Sequence, residues 1–193
     1  MAVMISIQPK WCKKIMSGEK TLEVRKTRPK IETPFKCYIY CTSGTGKNTL
    51  NIPIPTERLI EGLCETGSMK SLNCPIGNQK VIGEFICDAI DRVDIPYPAY
   101  QNKLDKKYVD GSCVPYCELH RYAYHDDLYF WHISDLKIYN NPMQLSQFEN
   151  GSSCLMFRDD TCLGWTGMQR PPQSWCYVEE LTDVKSWIEP WAE

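Results

Sequence analysis

Lys20, Glu23 and Arg25 stand together in the segment Gly18-Glu19-Lys20-Thr21-Leu22-Glu23-Val24-Arg25. These residue types at this spacing suit recognition of a phosphorylated or base-bearing ligand. An ammonium is a compact charge for a phosphate or a base carbonyl. A guanidinium offers a planar fork to phosphate or to a base edge, and a carboxylate accepts from an exocyclic amine. Taken out of water, Lys20 would also serve as a base or nucleophile. The same residues make structural ion pairs equally well, Lys20 with Glu19 or Glu23 and Glu23 with Arg25. Both readings stay open at this level.

Other residues offer weaker chemistry. Tyr38, Tyr40 and Trp175 are aromatics of the kind that stack an unpaired base, although most aromatics in strands are core. Gln173 and Ser174 follow Pro171 and Pro172, so a stiff backbone would hold their polar groups toward a base or cap a turn. Gly83 interrupts a β-prone run and implies a bulge or a close backbone approach. Cys113, Cys117 and His120 fall at helical spacing, but no second pair of ligand spacing accompanies them, so incidental thiols on a half-buried helix are the expected reading and no metal or other cofactor is assigned. Ser43 to Thr49 lacks the first glycine of a phosphate-binding loop and reads as a flexible loop. His120, His125 and His132 are the only histidines, and no nucleophile, base and acid arrangement follows from them.

Elements that position the first segment are legible around it. Met4 to Ile7 has strand character. Pro9 then opens a helix carrying Trp11, Cys12, Ile15 and Met16 on one side and Lys10, Lys13 and Lys14 on the other. Gly18 is placed to end that helix in a left-handed turn. Thr21 to Lys26 alternates, so Leu22 and Val24 face the core while Thr21, Glu23 and Arg25 face a site or solvent. Lys36 to Thr42, Lys80 to Ile95, Trp131 to Tyr139 and Trp175 to Val178 read as further strands, with Pro142 closing the third. A helix bearing Tyr116, Leu119 and Tyr122 is expected after a capping Ser112, beyond a polar loop at 102–111. Residues 43–79, with a short helix after Thr56, and residues 149–169 read as loop insertions. The acidic end from Glu179 is expected to form a last exposed helical turn. Many short strands with one early helix point to a mixed α+β barrel and not to alternating β-α units.

The chain has 193 residues, 42% of them hydrophobic and 24% charged, which suffices for one core and excludes a disordered chain. One domain over 1–182 followed by an acidic tail at 183–193 is the expected organisation. The net charge of −2 conceals an asymmetry: residues 1–36 hold nine basic and three acidic side chains, a local +6 suited to a phosphate-bearing partner. No basic start followed by an apolar run opens the chain, and no apolar stretch is long enough to cross a bilayer, so no membrane partner and a cytoplasmic location are expected. Eleven cysteines, an odd number, then read as reduced thiols.

The strand, helix, Gly18, Lys20-x-x-Glu23-x-Arg25, strand series resembles the ASCH family of PUA-like barrels. Val81-Ile82-Gly83-Glu84-Phe85, Trp131-His132-Ile133-Ser134-Asp135-Leu136 and Pro171-Pro172-Gln173-Ser174-Trp175 are similar to that family in the same order, in a pattern like that of long bacterial or phage members. The resemblance implies a PUA-like barrel that binds RNA or a modified nucleotide through Lys20, Glu23 and Arg25, with Tyr40, Gly83, Gln173, Ser174 and Trp175 as neighbours. Some small members are amidohydrolases of acylated cytidine, which would make Lys20 and Glu23 catalytic here, Glu23 standing where those enzymes have Thr. A third expectation is a protein-interaction module whose insertions contact a partner.

Overall fold

The computed structural model describes residues 1–44, 46, 49–53, 76–95, 104–150, 154–156, 162–165, 167–181 and 187–188; at 154–156, 162–165 and 187–188 the backbone alone is described. The short helix expected after Thr56 lies outside these residues, as do positions 45, 47 and 48 of the loop from Ser43 to Thr49.

The fold is mixed α+β. Strands β1 (Ala2–Ile7), β3 (Phe35–Cys41), β4 (Lys80–Cys87), β7 (Ser134–Met143), β10 (Trp175–Val178) and β11 (Trp187–Ile188) form a six-stranded sheet in the order β10-β1-β3-β4-β7-β11. Its β1–β3 pair is parallel and its other pairs are antiparallel. A second sheet orders β2 (Leu22–Arg25), β6 (Leu128–His132) and β5 (Ile90–Val93). The two sheets are joined at a corner, because β4 runs into β5 and β6 into β7 across very short breaks. The His132 amide donates to the Ala89 carbonyl there at 2.9 Å, and Asp135 just beyond takes a φ of 45°. A bent ribbon of this kind makes the two sheets continuous at one corner.

Alternation sorts the strand residues between cores. Val3, Ile5 and Ile7 of β1 and Cys37, Ile39 and Cys41 of β3 pack with Cys12 and Ile15 of helix α1 (Pro9–Met16), Phe85 and Trp131. Ala2 and Met4, with Tyr38 and Tyr40, point through the sheet to Tyr139, Phe148 and Val178. Leu22 and Val24 share a third cluster with Leu119, Ala123, Leu128 and Phe130, beneath helices α2 (Lys106–Ser112) and α3 (Tyr116–Ala123). The facing of β2 read from its alternation is therefore the observed one.

Several expected elements differ. Ser112 ends α2 and does not cap the next helix; the polar residues expected to loop instead form α2, started by the Asp105 carboxylate accepting from the Lys107 amide at 3.0 Å. Cys113 follows in a left-handed conformation with φ 56°, so it shares no helix with Cys117 and His120. The strand expected at Trp131 to Tyr139 is two strands, β6 and β7, and β7 continues past Pro142 to Met143 as it bends along the sheet. The second insertion carries a two-stranded ribbon, β8 (Cys154–Met156) with β9 (Cys162–Trp165). The acidic end contributes β11 to the sheet edge opposite Ile138 and Tyr139, and the residues on either side of it, where a last helical turn is expected, lie outside the described residues. The first insertion is rooted in the core through buried Leu50 and Ile52, with the Gly77 amide donating to the Leu50 carbonyl at 2.8 Å.

Gly83 has the close backbone approach that its position implied. A Cβ there would collide with the Lys137 carbonyl oxygen and lie 3.1 Å from Ile138 Cα, both backbone atoms of the adjacent strand. Because neither can rotate away, Gly83→Ala is expected to destabilise the domain by about 1–3 kcal/mol, read as a lowered urea midpoint at unchanged slope.

Candidate functional site

Helix α1 ends where the sequence places it. Gly18 adopts φ 75°, its amide donates to the Ile15 carbonyl at 3.0 Å, and the Lys20 amide reaches back to the Lys14 carbonyl at 2.9 Å. This turn aims the Lys20 side chain inward, and only 2% of it is exposed. Its ammonium donates to the carbonyls of Leu22 at 2.8 Å and Ser112 at 2.9 Å and faces Glu23 Oε2 at 3.3 Å. Glu23, 7% exposed, holds Arg25 Nη2 against its other oxygen at 3.1 Å, and the same Nη2 donates to the Ser6 carbonyl at 2.6 Å. One carboxylate thus sits between two cations, and three elements are tied together by it: β2, the end of α2 and the end of β1.

Above this triad lies a cleft of about 640 Å³. Lys20, Glu23 and Arg25 form part of its wall with Ser6 and Ile7; Gln8, Lys10 and Trp11 come from the start of α1, and Glu118, Arg121 and Tyr122 from α3. Its cations are Lys10, Lys20, Arg25 and Arg121 against Glu23 and Glu118, a positive balance. Within the triad, Arg25 is the most accessible member, with 13% of its side chain exposed. Lys10 stands over the Trp11 ring at 4.4 Å from its centroid, and Lys20 lies 5.3 Å from the same ring. Beneath the site Cys12 is fully buried, and burial together with neighbouring Cys41 pushes its thiol well up, so it takes no part as a nucleophile.

The other expected neighbours divide. Gln173 lines the cleft. Ser174 meets its edge through the backbone, its carbonyl accepting from the Ser6 amide at 2.9 Å. Trp175 turns to Trp131 and Tyr177, at centroid distances of 6.0 and 5.6 Å, and donates from its indole to Thr27 at 3.0 Å, outside the cleft lining. Tyr38 and Tyr40 belong to the core on the far face of the six-stranded sheet, as the alternation of β3 requires, and Gly83 is enclosed between β3 and β7. These positions do not share the cleft.

Sequence reasoning missed Lys10, Trp11, Arg121 and Tyr122 as site residues. The spacing of α1 puts Trp11 with its core face, and Trp11 lies at the boundary, half-buried. Arg121 and Tyr122 had only helical periodicity to mark them, with nothing to say which face met which partner.

A smaller hollow of about 280 Å³ lies between α2 and the second sheet. There Asp91 Oδ2 accepts from Tyr108 at 3.1 Å and pairs with His132 Nε2 at 3.2 Å. Burial opposes ionisation of Asp91, but these two contacts outweigh it and hold the carboxyl below its usual range. The cluster fixes α2, whose Ser112 carbonyl then stands ready for Lys20.

No protein-family model matches the sequence, and no curated protein does. Among solved structures, the crystal structure of ASCH from Zymomonas mobilis is similar at a TM-score of 0.53 and 18% identity, over 93% of this chain and 88% of that one. The fold is that of an ASCH domain. A tyrosine-to-phenylalanine variant of the same protein matches at 0.53 and 17% identity over 93% and 91% of the two chains, and a serine-to-alanine variant at 0.53 and 17% over 93% and 89%. Among the described residues no helix is long and apolar enough to cross a membrane.

Proposed function

We propose that this ASCH-like chain binds RNA or a nucleotide in the cleft above Lys20, Glu23 and Arg25. The observation that carries the reading is the convergence of four cationic side chains on one concavity whose wall is a buried, fixed ion triad. Its volume is in the range that takes a small ligand or a segment of a larger one. Lys20 and Glu23 are nearly sealed, so they act as positioning residues, while Arg25, Lys10 and Arg121 present charge to a phosphate. To serve as a base in deacylation, Lys20 would have to leave two carbonyls and a carboxylate, which favours the binding reading over the amidohydrolase one.

Fluorescence anisotropy with short labelled single-stranded RNAs at two salt concentrations tests this. Affinity is expected to fall as salt rises, because phosphate contacts release counterions. Lys10→Ala with Arg121→Ala should weaken binding and flatten that salt dependence. Absence of binding at low salt, or binding indifferent to both substitutions, would defeat the proposal.

A further inference from the structure

Binding of an unpaired base needs a flat apolar face next to the phosphate-attracting charge. The three aromatics that the sequence offered for this purpose, Tyr38, Tyr40 and Trp175, do not line the cleft. Two others do. Trp11 enters from α1, half-buried, and Tyr122 from α3, with 42% of its surface exposed although it is a large aromatic. Each carries a cation near its ring: Lys10 lies 4.4 Å from the Trp11 centroid, and Lys26 lies 5.7 Å from that of Tyr122. Half-buried Val114 lines the same cleft and adds apolar surface beside the rings, with Ile7, Val24 and Leu119 buried behind it.

We infer that Trp11 and Tyr122 are the base-stacking residues of this cleft, and that its ligand is therefore a strand with unpaired bases and not a duplex. The inference rests on the nucleic-acid reading above and specifies which chemical part of the ligand each residue meets. Arg25, Lys10 and Arg121 take phosphate, and the two rings take bases. A duplex presents its bases stacked on one another with only edges and backbone accessible, so it offers nothing for either ring face. Lys10 serves both parts of the ligand: its ammonium is attracted by the quadrupole of the Trp11 indole, and it also draws a phosphate toward the ring that holds the adjoining base, whereas Lys26 beside Tyr122 is paired with Asp126 at 3.3 Å.

The test uses the full chain and three labelled probes of about ten nucleotides, within the usual span of a single-strand groove: an oligoadenylate, the same strand built of abasic nucleotides, and an RNA duplex. Wild type is expected to bind oligoadenylate more tightly than the abasic strand and the duplex. Trp11→Leu and Tyr122→Leu should each reduce oligoadenylate affinity by roughly 5- to 150-fold, while affinity for the abasic strand stays level. Trp11→Phe and Tyr122→Phe should retain most of the affinity, which separates ring stacking from a packing defect. Thermal melting of each variant checks that the fold persists.

Equal affinity of wild type for oligoadenylate and the abasic strand would overturn the stacking role and leave phosphate binding standing. So would leucine variants that bind both probes as wild type does, or a duplex that binds as tightly as the single strand. If no probe binds wild type at low salt, the nucleic-acid reading itself fails.

Discussion

Glu23→Ala is expected to lower the stability of the domain by about 3–5 kcal/mol, the loss usual when one member of a buried charge pair is removed. Glu23 is the single anion between Lys20 and Arg25, at 3.3 and 3.1 Å, and only 2%, 7% and 13% of the Lys20, Glu23 and Arg25 side chains are exposed. With the carboxylate gone, Lys20 remains desolvated against two carbonyl dipoles, and Arg25 against one, with no countercharge. Urea unfolding followed by tryptophan fluorescence should show the lowered midpoint. The double variant Lys20→Met with Glu23→Leu removes both charges of the inner pair and should recover a large part of the loss, since an uncompensated charge and not a missing attraction dominates the single change. A shift for Glu23→Ala within about 0.5 kcal/mol, the usual range of a surface change, would show that the triad is solvated and that the site is not preorganised.

Trp131→Ala should be comparably damaging, at about 3–5 kcal/mol, and it should also weaken the ligand. Trp131 is fully buried and lies directly opposite Glu23 across the β2–β6 ladder, so the two side chains share one face of the sheet. The indole meets Phe35 edge-on at 5.9 Å and Trp175 at 6.0 Å, linking the second sheet to the six-stranded one. Truncation leaves a void under the carboxylate that positions both cations, and the surrounding strands collapse into it only in part. Calorimetric melting measures the first effect, and anisotropy with single-stranded RNA at a temperature where the variant is folded measures the second. Trp131→Phe, which keeps a ring in the gap, should fall between wild type and alanine for both. Loss of stability with unchanged affinity would show that Glu23 does not depend on the packing beneath it.

How far the site could be read from the chain follows from the range of the forces involved. Gly18 in a left-handed turn, the start of α1 at Pro9, and the two faces of β2 are local consequences of backbone sterics and of a period of two, and the observed turn and burial agree with them. Ser112 shows the opposite case. Its side chain resembled a helix start, yet Asp105 upstream is the residue that caps α2, and packing of Tyr108 and Val109 against the cluster around Leu22 and Phe130 turned the expected polar loop into a helix. Tyr40 and Trp175 looked like stacking residues by type. Which face of a sheet meets ligand is fixed by what packs on the other face, and no spacing within β3 or β10 carries that information.

By itself the sequence determined the residue types of the triad, the turn that delivers Lys20, the alternation that puts Glu23 and Arg25 together, and the mixed α+β character of the chain. Those are short-range properties, set by neighbours a few residues apart. Tertiary structure alone decided that Lys20 is held by the carbonyl of Ser112 and Arg25 by that of Ser6, and that α1 and α3 bring Lys10, Trp11, Arg121 and Tyr122 to one cleft. Carbonyl acceptors are common to every residue, so nothing in the order of side chains marks the one that a distant lysine will find once the sheets have closed.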